Sequence, residues 1–241
     1  MESKLLIIIL LCQFEFIRKI GCELSPETVA SLLQTYATNV NSSIILSKSD
    51  RNLLNSWNDE FQLKRVNITT KFRLQMMKHK DHNFQKGNFD KKWIKCMDIY
   101  SNEIDGSERM YYENESDCLK TVNMREKDSR KGLDQIEREI KRWRKSYKYL
   151  LHLCDINHPD DVTNAGVCLV EYIEKDGYNL TLQRLMSMKI EAMQEFYRKL
   201  TISMDHLEEC FKVNLSSYLN NVRTVMESLN RCYNGFKNDN N

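Results

Sequence analysis

Residues 133–154 read LDQIEREIKRWRKSYKYLLHLC, and this stretch decides the fold class. Its apolar side chains recur at intervals of three and four residues, which is the spacing of one face of an α-helix. They are Leu133, Ile136, Ile140, Trp143, Tyr147, Leu150 and Cys154. Most of the intervening positions are charged, so the stretch is predicted to be an amphipathic helix that buries one stripe against a partner.

Three further segments show the same periodicity. One contains Met186, Ile190, Met193, Tyr197, Leu200 and Met204; a second contains Cys210, Tyr218, Val222, Val225, Leu229 and Cys232; a third begins with Trp93, Met97, Tyr100 and Ile104. Seven glycines and two prolines among 241 residues supply few turns, which argues against a sandwich or barrel. The sequence therefore predicts an all-α, disulfide-stapled antiparallel bundle of about four long helices.

Upstream of the stripes, residues 23–89 are predicted to form an N-terminal helical extension and linker. Ser25-Pro26-Glu27 is typical of a helix start, with a capping hydroxyl followed by proline and an acid. Two helices are predicted near residues 26–46 and 50–78, separated by the polar run from Ser47 to Asp50. Residues 79–91 are interpreted as the connection to the cysteine-bearing part.

The N-terminus is predicted to be a signal peptide covering residues 1–22. A lysine at position 4 precedes an unbroken apolar run from Leu5 to Cys12, which is too short to span a bilayer. No second hydrophobic stretch of membrane-spanning length follows. We therefore expect a secreted, extracellular protein of 241 − 22 = 219 residues without a membrane anchor, ending in a disordered tail at 237–241.

Cysteine spacing is the most specific feature of the chain. Removal of residues 1–22 takes away Cys12 and Cys22 and leaves six cysteines, an even number that in an exported protein indicates disulfides. In an up-down-up-down bundle, Cys118 and Cys210 fall at one end, Cys96 and Cys232 at the other, and Cys154 and Cys168 beside the central loop. Of fifteen possible pairings, this topology predicts the nested set Cys96–Cys232, Cys118–Cys210 and Cys154–Cys168.

Residues 90–236 resemble a known family in this cysteine framework. Cys96-Met-Asp-Ile-Tyr100 is followed by Cys118-Leu119, and the close has Glu209-Cys210, Tyr218, Leu229, Cys232 and Asn234-Gly235. The pattern is similar to the insect TsetseEP domain, also called domain of unknown function 725, although this chain has no Glu-Pro repeats. The resemblance implies a secreted helical protein of insect gut or body fluid held by disulfides. It implies no biochemical activity.

Five Asn-x-Ser/Thr triplets are predicted glycosylation sites, which would place their asparagines on the surface. They are Asn41, Asn67, Asn114, Asn179 and Asn214.

Several function classes lack support in the sequence. With 36 basic and 34 acidic residues and no long block of one sign, a nucleic-acid partner is not expected. No catalytic motif or phosphate-binding glycine loop is present, so no enzyme activity, catalytic residue or cofactor is expected. Cys154, His152, His158, Asp155 and Asp160 could be drawn as metal ligands, but an oxidised cysteine beside a polar loop is the favoured interpretation and no metal is expected.

Two binding functions remain as hypotheses. The first is an extracellular interaction or structural protein whose helical surface meets another protein or a glycan. The second is a carrier of a small apolar ligand in the bundle core, lined by Met186, Met193, Phe196 and Tyr197, because methionine adapts to varied shapes. A solid core with an exposed apolar patch would favour the first hypothesis, and a large pocket would favour the second.

Overall fold

The computed structural model of the protein describes residues 25–84 and 90–238. It contains helices α1 (Pro26–Phe84), α2 (Lys91–Ile99), α3 (Ser101–Asn157), α4 (Val162–Lys175) and α5 (Tyr178–Asn238). These ranges hold no β-strand, which confirms the predicted all-α fold. The predicted signal peptide lies outside the described residues, and α5 extends to Asn238, into the range expected to be a tail.

The chain divides into two compact units. Unit 1 comprises the described residues up to Lys48 together with Glu137–Met188, and unit 2 comprises Ser49–Ile136 together with the described residues from Lys189 onward. Helices α1, α3 and α5 each contribute one stretch to unit 1 and another to unit 2. Residues before position 90 therefore take part in both units, and the division does not follow the expected boundary between an extension and a cysteine-bearing domain.

Helix α1 corrects the prediction of two helices near 26–46 and 50–78. It runs for 59 residues through Ser47–Asp50 without a break. Serine and aspartate are weak helix formers, but neither removes a backbone donor as proline does. Ser43 shows how a serine is accommodated, because its hydroxyl donates to the Val40 carbonyl at 2.7 Å. The predicted start is confirmed: the Ser25 hydroxyl accepts the Thr28 N–H at 3.2 Å.

The four predicted stripes also lie on fewer, longer helices than expected. The stripe of residues 133–154 belongs to α3, which begins at Ser101, and the stripes of residues 186–204 and 210–232 both belong to α5. No turn separates Cys118 from Leu133 or Met204 from Cys210. These connecting stretches contain no proline and are rich in lysine, glutamate and arginine, which favour helix.

Three disulfides join Cys96 to Cys232, Cys118 to Cys210, and Cys154 to Cys168. These are the nested pairs that the spacing predicts. In unit 2, Cys96 of α2 is bonded to Cys232 of α5, and the later Cys118 of α3 is bonded to the earlier Cys210 of α5. Such a reversed order is expected where helices pack antiparallel. The bridges therefore join α2 to α5, α3 to α5 and α3 to α4.

Each unit buries its own apolar side chains. The unit 1 core includes Val29 and Tyr36 of α1, Trp143 of α3, Ile173 of α4 and Leu182 of α5. Unit 2 has two clusters, one around Trp93, Met97 and Tyr218, the other around Phe61, Phe72, Phe196 and Phe211. Most positions of the predicted stripes are buried or partly buried, but Ile190, Tyr197 and Cys210 are exposed, so the prediction is wrong there. In α5 the buried face passes through Lys189 and Phe196, one position before Ile190 and Tyr197.

Candidate functional site

A surface groove of about 410 Å³ lies in unit 1, where the end of α3, the loop that follows it and the start of α4 meet α1. Its apolar lining side chains are Leu33, Ala37, Leu151, Val162, Ala165 and Leu169. Ligand sites for small molecules are typically concave, mostly apolar and roughly 300–1,000 Å³ in volume. The groove is within that range and is our candidate functional site.

The Cys154–Cys168 disulfide frames one side of this groove. The 13 residues between the two cysteines include Asp155, the loop from His158 to Asp161, and the first turns of α4, all of which line the cavity. Cys154 is almost fully buried in the unit 1 core. The bridge therefore fixes the loop to the end of α3 and holds the groove wall in place.

Gly166 sets the distance between α4 and α1 at the floor of the groove. A Cβ atom placed on it would lie 3.0 Å from Cγ1 of Val29 and 3.2 Å from Cδ1 of Leu33. Contacts this short are tighter than most Cβ contacts, so the Val29 and Leu33 side chains would have to shift by a few tenths of an ångström to accept a larger residue.

In the unit 1 core, hydrogen bonds position several aromatic side chains. The Trp143 indole N–H donates to the Tyr178 carbonyl at 3.1 Å, and the Tyr178 hydroxyl donates to Ser146. The Tyr36 hydroxyl donates to Glu174. Burial raises the pKa of Tyr36 and of the groove residue Tyr147 above the ordinary value for tyrosine. Both phenols therefore remain neutral at physiological pH.

The rim of the groove, by contrast, is acidic. Asp155, Asp160 and Asp161 line it together with a single histidine, His158. The backbone N–H of Asn164 donates to Asp161 at 3.0 Å, and this bond, with a second from the Asn164 side chain, lowers the pKa of Asp161. Asp160 adopts a left-handed backbone with φ 71°, a conformation that aspartate tolerates better than most residues. The site thus combines apolar walls with a negative rim.

The side chains expected to line a ligand cavity do not form one. Met193 and Phe196 are buried in unit 2, Phe196 within a solid cluster, and Met186 packs against the unit 1 core. Tyr197 packs against Trp57 in a tilted arrangement, with ring centroids 4.9 Å apart, and lines a cavity of only about 20 Å³. The larger cavity lies elsewhere. Its sequence signal was the acidic loop between Cys154 and Cys168, which we interpreted as a plain interhelical connection.

The possible metal ligands around Cys154 do not make a metal site. Cys154 is bonded to Cys168 and cannot supply a thiolate. In residues 25–84 and 90–238 no group of three or more histidine, cysteine, aspartate or glutamate side chains is arranged to hold a metal ion. The oxidised-cysteine interpretation is the one that the structure supports.

The five predicted glycosylation sites differ in exposure. Asn41 and Asn67 are exposed, and Asn114 and Asn179 are partly buried. Asn179 accepts a hydrogen bond from Asn39 at 3.0 Å. Asn214 is only 4 % exposed, so the expectation that all five lie on the surface is wrong at this position. The apolar spacing of α5 places position 214 on the buried side of that helix.

Buried charge in unit 2 is paired within the unit. Glu115, 3 % exposed, accepts two hydrogen bonds of 2.9 Å from Nε of Arg73. Lys189, also buried, lies 2.7 Å from the Asp50 carboxylate. These pairs join helices across a packed interior and line neither cavity described above. They contribute to structure and are not candidates for chemistry.

Comparisons of the chain with family models, curated proteins and solved structures found no match in any of the three. Within the described ranges, no helix has an apolar stretch long enough to cross a membrane.

Proposed function

We propose that this chain is a secreted, non-enzymatic binding protein that holds a small, largely apolar ligand in the unit 1 groove. The observation that carries the proposal is the groove itself, with a volume of about 410 Å³ and walls formed by leucine, valine and alanine side chains. The carrier hypothesis thus keeps its ligand class but moves from the bundle core to the surface of unit 1.

Preorganisation supports this function. A site binds more tightly when its walls are already held in the bound geometry, because less conformational freedom is lost on binding. The disulfide between Cys154 and Cys168 restricts the wall formed by the loop, and the close contact at Gly166 restricts the wall formed by α1 and α4. The groove therefore does not depend on a ligand for its shape.

Three disulfides suit an oxidising compartment. Together with the predicted signal peptide and glycosylation sites, they support an extracellular location. The resemblance of residues 90–236 to the TsetseEP domain makes insect gut or body fluid our proposed setting.

A fluorescence titration with N-phenyl-1-naphthylamine, an uncharged apolar probe, tests the groove directly. Ala37 is exposed on the α1 wall, so Ala37→Phe fills the cavity without disturbing the core. Thr38→Phe adds the same side chain at the neighbouring exposed position, which does not line the groove. We expect probe binding by the native protein and Thr38→Phe, and at least about tenfold weaker binding by Ala37→Phe. Equal binding by all three would refute the proposed site.

A second function, contact with a partner protein, is favoured by an apolar stripe on α1 in unit 2. Leu63, Val66, Leu74 and Met77 follow helical spacing, and each is about half exposed or more. Exposed apolar patches on secreted proteins commonly mark interaction surfaces. A double change, Leu63→Glu with Leu74→Glu, should abolish protein contacts made by this face and leave probe binding in the groove intact. Retained partner binding by this variant would exclude the stripe.

A further inference from the structure

We propose that the groove selects a ligand with a cationic head and an apolar body, an organic ammonium compound in which the charge meets the aspartate rim. This inference rests on the proposed binding function of the groove and names its ligand class. It is drawn from the position of the rim carboxylates, from the helix end beside them and from the apolar walls below.

The carboxylates of Asp155 and Asp160 are not neutralised by the protein. No ion pair within the described residues engages either side chain, and both residues are exposed. The third carboxylate, Asp161, is used as the N-cap of α4. His158 is the only basic side chain that lines the groove. The rim therefore presents excess negative charge to any molecule that enters.

The end of α3 adds to this negative field. A helix C-terminus carries a partial negative charge that cations stabilise, and helices commonly place lysine or arginine in the last turn. The last turn of α3 contains no basic residue, and Asp155 lies close to its end at Asn157. An acid at this position opposes the helix dipole and lowers helix stability. A bound ammonium group would supply the missing positive charge.

The opposite helix end does not cancel this preference. The N-terminus of α4 would attract an anion, but Asp161 already occupies it by accepting the Asn164 N–H. The partial positive charge of α4 is therefore matched within the protein. The charges that remain to attract a ligand are the partial negative charge at the C-terminus of α3 and the carboxylates of Asp155 and Asp160.

The walls account for the apolar body of the ligand. Leu33, Leu151 and Leu169 line the cavity, and Val162 at its edge is 88 % exposed. Burial of such apolar surface is favourable in proportion to the area removed from water. An alkyl chain in the groove would cover Val162 and Leu151 while its head group remained at the rim.

The test uses three decyl compounds that differ only in head group: decyltrimethylammonium, decanol and decanoate. Each competes with N-phenyl-1-naphthylamine for the native protein. We expect decyltrimethylammonium to bind about tenfold more tightly than decanoate, because several exposed charges each contribute modestly. In Asp155→Asn with Asp160→Asn this preference should fall to about threefold or less. Glu171→Gln with Asp176→Asn, which removes two exposed acids of unit 1 outside the groove, should preserve it.

Stability provides an independent readout. Because Asp155 opposes the α3 dipole, Asp155→Asn should raise the thermal midpoint while it weakens ammonium binding. A residue with a purely structural role would show the reverse. Equal affinity for the three compounds would overturn the ammonium inference and leave the groove as a binding site. Failure of all three to displace a bound probe would also overturn the inference, and absence of probe binding would refute the proposed function as well.

Discussion

The side-chain amide of Asn214 on α5 donates a hydrogen bond to the backbone carbonyl of Tyr111 on α3 at 2.9 Å. Asn214 is 4 % exposed and Tyr111 is 1 % exposed, so the bond lies within the interior of unit 2. The nitrogen that donates this bond is the atom to which an N-linked glycan would be attached. The folded protein therefore has no room for a glycan at this triplet.

We predict that Asn214 is unmodified in protein expressed in insect cells and that exposed Asn41 and Asn67 carry glycans. Glycopeptide mass spectrometry of protein from insect cells, with and without glycosidase treatment, measures occupancy at each site. Asn214→Asp serves as a control for burial. It should lower the thermal midpoint because it replaces the donor to Tyr111 with a buried charge. A glycan at Asn214 in folded protein would contradict the packing described here.

The Cys154–Cys168 disulfide is predicted to hold the groove. Replacing both cysteines by serine should lower the free energy of unfolding by about 3 kcal/mol, the entropic value for a loop of roughly 15 residues. Probe binding should weaken because the loop from Asp155 to Asp161 loses its attachment. Hydrogen exchange would then accelerate across residues 155–167.

The matched control removes the Cys118–Cys210 bridge of unit 2 in the same way. It closes a longer loop, so its loss should cost about 4–5 kcal/mol, but probe binding should persist at temperatures where the variant is folded. If both variants lose probe binding equally, the disulfide effect is one of general stability and not of groove geometry.

Loss of Arg73 is predicted to destabilise unit 2. Arg73→Ala would leave the buried Glu115 carboxylate without its hydrogen-bond donor, which should lower the free energy of unfolding by about 1–3 kcal/mol. Lys131→Ala removes one partner of the exposed Asp128–Lys131 pair and should change stability very little. Urea denaturation of both variants makes the comparison. Similar midpoints would show that the Glu115 carboxylate is not desolvated in solution.

The N-cap of α4 is predicted to give an acid-sensitive contribution to stability. Hydrogen bonds from Asn164 lower the pKa of Asp161 below its ordinary value of 3.8. The ionised group therefore stabilises the folded protein above that value, and the contribution is lost as the pH falls through the lower folded-state pKa. Asp161→Asn keeps a capping oxygen that does not titrate. The thermal midpoint of the native protein should fall more steeply below pH 4 or so than that of Asp161→Asn; parallel slopes would contradict the assignment.

The sequence predicted the fold class from local spacing, and the cysteine pairs from their positions in an assumed antiparallel topology. Apolar residues at intervals of three and four identify helices, and antiparallel packing nests the cysteines. Helix continuity was not predictable in the same way. The run from Ser47 to Asp50 resembles a loop in composition, but nothing in it prevents helix formation, and flanking core contacts of Val40 and Phe61 support a continuous α1.

The groove was harder to predict because four separate segments form it. Leu33 and Leu169 look like ordinary core positions in their own helices, and Leu151 falls outside the predicted stripe of α3. Only their packing around the Cys154–Cys168 loop leaves space between them. Methionine content, in contrast, suggested a cavity around Met193 and Phe196 where the structure has a filled interior. Residue type indicated adaptability, but the volume of a cavity depends on packing between helices.

Native mass spectrometry of the protein secreted from insect cells, before and after denaturation, tests the binding function most directly. The groove predicts a discrete added mass on the native protein that disappears on unfolding and is absent from Ala37→Phe. Thr38→Phe should retain it. A native mass equal to that of the protein alone, or an added mass that Ala37→Phe keeps, would contradict the assignment of ligand binding to the unit 1 groove.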